Sequence, residues 1–453
     1  LVSCLLSSIF VLHSLNVLVL PPLNALDRFA YDYLIRANPP SQNAVDHIVI
    51  LDIDEKSLSN PKLGRWPWSR DVMSQVVTTL FEDYEVRVLG FDVVFSEPDT
   101  SSGIGTLDAL AKGPLADNTG YLELLKKIRP KLEYDSIFGE LLMQYPIVLG
   151  YYFNLGTGDN VKAGALPLPT IFSDEVSIKA GSVVEGTGYG SNIAVLTDAA
   201  LAAGHFNPIV DPDGLIRKVP LLIKFEGDFF ESLSLAVFRM SKALERAEAS
   251  GKALSVQPLV LFDEAGEVVT GEGSPVLNAI QVAGKRIPVG PDSSVFVSYQ
   301  GPQRTFTYLS FDDLVEGRVK LEALRDKVVL VGTTAPGLSD FRSTPMGALY
   351  PGVEVHANVL ASLLSERASA MPWRPIEFRF LEPLGIFVCT IFLLLVLGRV
   401  SPLASMGVWL SLSLATLLGG GYLWTGYQVV PQIAPLLGAI TSIFLWNFAY
   451  QFY

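Results

Sequence analysis

Three apolar runs end in side chains that could hold a ligand. IVILDI at 48–53 leads into Asp52, Asp54 and Glu55, VRVLGFDVVF at 86–95 carries Asp92 and runs on to Glu97 and Asp99, and VVLV at 328–331 gives way to Gly332, Thr333 and Thr334. Open α/β sheets take their ligands in the crevice outside the carboxyl ends of the strands, so parallel neighbours would bring these clusters together. Carboxylates and hydroxyls in such a place suit a cation or a small polar ligand. The candidate pocket therefore comprises Asp52, Asp54, Asp92, Thr333, Thr334 and Asp340. The competing structural reading is that these side chains cap helices and turn the chain. Their scattered spacing differs from the fixed alternation of a calcium loop, so no metal and no cofactor is expected.

The other polar groups point to structure more than to chemistry. The four histidines, His13, His47, His205 and His356, have no metal-ligand spacing, and none stands beside a serine or cysteine nucleophile with a third partner nearby. A catalytic set is therefore absent from the expected site. Trp66-Pro67-Trp68 reads as packing under a helix start, with Arg70 pairing a carboxylate. Asp213-Gly214 reads as a hairpin turn. The run Gly186 to Gly190 neither follows a clear strand nor opens a helix, which argues against a phosphate cradle.

The elements that must position these residues alternate in type. After the 48–53 strand, Val72, Met73, Val76, Val77, Leu80 and Phe81 repeat with helical spacing, capped by Ser69, and the 86–95 strand follows. A strand-helix-strand unit of this kind implies parallel pairing. Residues 101–120 read as a loop, 122–142 as a helix, 146–153 as a strand and 156–192 as loop-rich. Next come a strand pair ending in VPLLIKF, a helix through Leu233, Ala236, Val237 and Met240, short hairpin strands over 259–300, and a short helix capped by Ser310 with Asp313. Past the 328–331 strand lies a polar loop. A helix then starts near Glu354, carries His356 and Asn358, and runs to Leu364; a negative charge near its start suits the helix dipole.

The chain has 453 residues, 49% hydrophobic and 17% charged, with the charges unevenly placed: from Leu384 to Tyr453 only Arg399 is charged. A span needs ~20 apolar residues for ~30 Å of hydrocarbon. Four spans are expected, at 1–20, 380–398, 403–424 and 429–452, with Pro21 and Pro22 ending the first and an N-terminal flank preceding it. Arg399 in the tight second loop places that loop in the cytosol, the large domain outside and both ends inside. Trp373 with its mixed-charge neighbours reads as an interfacial anchor. Both cysteines, Cys4 and Cys389, fall in the spans, no Asn-x-Ser/Thr sequon occurs, and the net charge of −13 argues against nucleic acid as a partner.

LDIDEKSL at 51–58, GRWPWSRDV at 64–72, GFDVVFSEPD at 90–99, DPDGLIRKVPL at 211–221 and VVLVGTTAPGLSDFRSTPMGALYPGVEVHANVL at 328–360 together resemble the second of the CHASE-type sensor domains, over roughly Asp27 to Leu364. The resemblance implies an α/β extracytoplasmic sensor domain, over 27–370, with a partly parallel mixed sheet, flanked by one N-terminal and three C-terminal transmembrane helices. It further implies a multi-pass protein of the bacterial inner membrane, a homodimer in contact with lipid, which answers an extracytoplasmic ligand or protein. The family's outputs are class III adenylate or guanylate cyclases, histidine kinases and serine/threonine kinases, and such a domain is expected beyond Tyr453. The rival expectation is an accessory subunit of a larger membrane assembly, binding a protein through the sensor-like domain. Gly352, Glu354, His356 and Asn358, on the last helix before the membrane, are the expected transmission residues; substitutions at Gly352 or His356 should uncouple signalling before they abolish binding.

Overall fold

The computed structural model describes residues 2–39, 44–156, 160–290, 292–338, 340–365, 371–375 and 377–452. They form two compact units, one of Leu1–Pro40 with Arg367–Tyr453 and one of Ser41–Glu366. The expected end of the sensor domain at 370 lies outside the described residues.

The larger unit is built on parallel strands. Thr307–Ser310, Ile48–Ile53, Val328–Thr333, Val88–Phe91, Ile147–Asn154 and Ala202–His205 lie side by side in that order, every pairing parallel. The distal end of Ile147–Asn154 also pairs antiparallel with Gly188–Gly190, which makes the sheet mixed. Ile48–Ile53 is buried on both faces, as a continuous apolar run in a parallel sheet requires. On one face Val49, Leu51, Phe91, Val329 and Val331 pack against Met73 and Val77 of the Arg70–Thr78 helix and Phe138 and Leu142 of the Tyr134–Gln144 helix. The other face carries the helices Leu233–Ser250 and Gly352–Leu364. Close approach there depends on missing side chains: a Cβ at Gly332 would run into Val353, and one at Gly204 into the backbone of Leu233.

Ser69 caps the helix by accepting from the Asp71 N–H, and Trp68 is buried against Phe311, ring centroids 4.6 Å apart, while Arg70 pairs with Asp135. Asp213-Gly214 makes its turn, with Gly214 at φ 81°. The 101–120 loop contains a helix, Ile104–Lys112, and the 122–142 helix is two, Thr119–Ile128 and Tyr134–Gln144, separated at Pro130, whose ring cannot continue the first. The 86–95 strand is paired only over Val88–Phe91. Ser310 makes no cap; its hydroxyl donates to Asp54 instead. The polar loop after 331 holds a hairpin, Phe341–Thr344 with Gly347–Pro351, and the next helix opens at Gly352 rather than at Glu354.

In the smaller unit, two helices are long and apolar enough among the described residues to cross a membrane, Phe378–Leu397 and Pro402–Tyr427, where four were expected. The 1–20 stretch breaks early: its helix Val2–Ser14 has 13 residues, ~20 Å, which is short of the hydrocarbon thickness. Pro21 and Pro22 do not end a span but open the next helix, Pro21–Ala37, where a missing N–H costs nothing. The last apolar helix, Ala434–Tyr450, is likewise below span length. Within this unit Ser7 and Thr390 share a hydroxyl hydrogen bond of 2.5 Å, and Leu393 and Leu397 pack on Ile440 and Ile443. Trp373 pairs through its backbone with Gln428 and Val430. Asp27, expected to open the sensor domain, belongs to this unit and accepts from the Ala434 N–H at the start of the last helix.

Candidate functional site

The carboxyl ends of the strands do meet, and they sort the expected pocket residues into two groups. In the first, Asp52 is 3% exposed. The Thr334 N–H and hydroxyl donate to its Oδ1 at 3.0 and 2.9 Å, and the hydroxyl is 2.7 Å from Oδ2. Thr333 Oγ1 donates to the Ile53 carbonyl. Asp54 caps the short Glu55–Leu58 helix, accepting from the Ser57 N–H and hydroxyl and from Ser310 Oγ at 2.9 Å. Together they tie three strand ends: Asp52 and Thr334 bond each other, Thr333 bonds the Ile53 carbonyl, and Asp54 bonds Ser57 and Ser310. Burial raises the Asp52 carboxyl above the usual range, with the Thr334 hydroxyl opposing. Arg304, 3.9 Å away and lying over the Tyr308 ring, is the nearest counter-charge.

The second group surrounds Asp92, one strand over. Its N–H donates to the Val331 carbonyl, which holds it against the end of the central strand. The hairpin 341–351 supplies its charged neighbours: Asp340 and Arg342, paired with each other at 2.5 Å. The base of the hairpin closes where the Gly352 N–H donates to the Asp340 carbonyl at 2.8 Å, and a Cβ at Gly352 would collide with the Asp340 carboxylate. Arg342 was absent from the expected pocket. Asp340 precedes the Phe341–Thr344 strand that carries Arg342, so strand alternation does not mark the two as a pair, and the only signal is their opposite charge two positions apart.

Burial, then the Asp340 carboxylate, push Asp92 up to about 7, with Arg342 opposing. Between the ordinary carboxyl value and pH 7 the folded protein therefore holds a proton that the unfolded chain has released, so this group makes stability fall as pH rises across that window. Asp92→Asn is expected to remove that slope. Thermal unfolding should show the variant roughly 1–3 kcal/mol more stable than wild type at pH 7.5 and equal to it at pH 4, the size discounted because part of Asp92 meets solvent. A constant difference between the two pH values would show that Asp92 titrates normally.

The four expected transmission residues all lie in the Gly352–Leu364 helix, buried from Gly352 to Leu363. Glu354 reaches well beyond the dipole of its own helix: its carboxylate accepts from the Arg304 and Thr305 N–H groups at 2.9 and 3.0 Å and from the Tyr308 hydroxyl at 2.8 Å. Asn358 accepts from the Gln300 N–H and donates to the Tyr350 hydroxyl. His356 Nε2 donates to the Phe206 carbonyl at 3.2 Å, which leaves Nδ1 to accept from Ser234. Burial lowers this imidazole to about 4, so it is neutral at physiological pH. His205 is wholly buried with both ring nitrogens lacking a partner among the described residues, and burial, then His356, lower it to about 3. Substitution at Gly352 or His356 thus carries a folding cost before any effect on coupling. Among the described residues no group of three or more His, Cys, Asp and Glu could hold a metal ion.

A family model described as the CHASE2 domain matches residues 5–398. The chain belongs to the CHASE2 domain family. No curated protein and no solved structure matches it. CHASE2 domains are extracytoplasmic sensor modules of membrane proteins, which fits a parallel-sheet domain next to apolar helices in the same chain. The matched segment begins inside the Val2–Ser14 helix and ends just past Phe378–Leu397, so the CHASE2 match includes parts of both units.

Proposed function

We propose that this CHASE2 chain is the extracytoplasmic input and transmembrane signalling module of a bacterial inner-membrane receptor, working as a homodimer to regulate a C-terminal cytosolic cyclase of class III or a kinase. The observation that carries the reading is the cluster of charges at the carboxyl ends of Val88–Phe91 and Val328–Thr333, where Asp92 lies within electrostatic reach of the Asp340–Arg342 pair at the hairpin. Asp92, Asp340 and Arg342 form the ligand-facing group, whereas Asp52, Asp54, Thr333 and Thr334 shape its floor. A ligand that pairs with the carboxylates or with Arg342 changes the balance of charge on a hairpin joined directly to the Gly352–Leu364 helix, and differential binding to two arrangements of that helix supplies the signal. A coupling of ~1–3 kcal/mol is enough.

The test is to express the full-length receptor in membranes with Arg342→Ala or Asp340→Asn, and to read cyclic-nucleotide formation and phosphoprotein formation in parallel. Basal output should change several-fold in at least one variant with the thermal unfolding midpoint preserved. Unchanged output in both, with both products assayed, would remove the Asp92–Asp340–Arg342 cluster from the signalling path.

A further inference from the structure

The Gly352–Leu364 helix is the last described element of the larger unit before the chain passes, beyond Glu366, to the smaller one. Helices leave their final carbonyls unsatisfied, and the usual remedy is a glycine turn or water. Here the C-cap is Ser365 in extended conformation, so no left-handed turn folds back over the end. A side chain from a distant hairpin does the work instead. Lys285 Nζ donates to the carbonyls of Ser362 at 2.9 Å, Leu363 at 2.8 Å and Ser365 at 2.7 Å. All three ammonium hydrogens are used on carbonyls at the negative end of the helix dipole.

The position of Lys285 is set by its own turn. It opens the strand Lys285–Pro288, which pairs with Leu277–Val282 across Ala283-Gly284, both with positive φ, the geometry of a tight hairpin. Burial and then the Lys242 ammonium lower the amine to about 8, which leaves it charged at neutral pH. Lys242 is itself paired with Glu245, on the Leu233–Ser250 helix.

We propose that Lys285 is a latch on the end of the Gly352–Leu364 helix, through which the three-stranded sheet 260–288 controls the fraying of that helix's last turn. The latch is built from one side chain and three carbonyls, so it opens without disturbing the parallel sheet. Its use in signalling rests on the sensory reading above; its mechanical role does not. Lys285 is a positioning residue and touches no ligand.

Hydrogen exchange of the full chain in nanodiscs tests it with Lys285→Met and Lys285→Arg. In Lys285→Met, exchange over residues 361–365 should rise at least tenfold while the strands at 48–53 and 328–333 keep their protection. Lys285→Arg, which retains a cation and more than three donors, should restore most of the protection. Unchanged exchange at 361–365 in Lys285→Met would overturn the latch, as would a uniform rise throughout the domain or a failure of arginine to rescue. A local rise without any change in receptor output would leave the latch in place and count against the sensory reading instead.

Discussion

Gly204→Ala is expected to destabilise the larger unit by about 3 kcal/mol, at the upper end of what overpacking costs. A Cβ at 204 would lie 2.5 Å from the Leu233 Cα and 2.6 Å from its nitrogen. Both are backbone atoms at the start of the Leu233–Ser250 helix, so no rotamer change relieves the clash and the whole helix must lift from the sheet. Replacing glycine usually stabilises by restricting the unfolded chain, by ~0.4–1 kcal/mol, and at Gly204 the steric term decides the sign. Gly105 is the control: it sits in the Ile104–Lys112 helix with open space around it, and Gly105→Ala should stabilise by about 0.5–1 kcal/mol. Unfolding midpoints of the two variants should move in opposite directions; a shift of the same sign in both would refute the packing argument.

Glu354→Ala should cost about 3–4 kcal/mol. Glu354 is 0% exposed and its carboxylate satisfies two backbone N–H groups and a tyrosine hydroxyl, and its removal leaves three half-buried donors without their acceptor. Each stranded donor costs on the order of 1 kcal/mol or more. Tyr308→Phe, which removes a single donor and leaves the carboxylate bonded to the backbone, should cost about 1 kcal/mol. The loop at 301–306 should also open in Glu354→Ala, seen as new tryptic cleavage after Arg304. If Glu354→Ala unfolds at the wild-type midpoint with the loop still resistant, the carboxylate is not what orders that loop.

Parallel strands and their polar ends were legible because burial on both faces leaves a plain mark, an unbroken apolar run such as 48–53 or 328–331. The meeting of Asp52 with Thr334 followed from that. What the residues around Asp52 do was not legible: a carboxylate that binds a ligand and one that ties off strands have the same sequence, and only the neighbours, Thr334 for Asp52 and Ser57 with Ser310 for Asp54, distinguish them. Glu354 shows the same limit. Its place near a helix start had a sufficient local explanation, and its true partners, at 304, 305 and 308, are some fifty positions away, where no spacing rule reaches. The hairpin at 341–351 was hidden for another reason. Its strands are short and carry no clean alternation, and the pairing is irregular between Arg342 and Thr344, so periodicity gave no signal. The spans were overcounted because composition says that a stretch is mostly apolar, not that it is one straight helix: the 1–20 stretch is largely apolar but turns after Ser14.

The order of strands bears on how the domain is made. Val328–Thr333 is the last strand of the parallel sheet in chain order, yet it lies between Ile48–Ile53 and Val88–Phe91, pairing Val328 with Ile48 on one side and with Val88 on the other. The two earlier strands leave the ribosome with a gap between them that nothing fills until almost the whole domain has been synthesised. Contacts so distant in sequence form slowly, because the loop must close before they reward it. In the interval the apolar edges of 48–53 and 88–91 stand open to mispairing. Assembly of this domain is therefore a late, all-at-once event, and a chain truncated before residue 328 should accumulate as an aggregating fragment rather than as a smaller sensor.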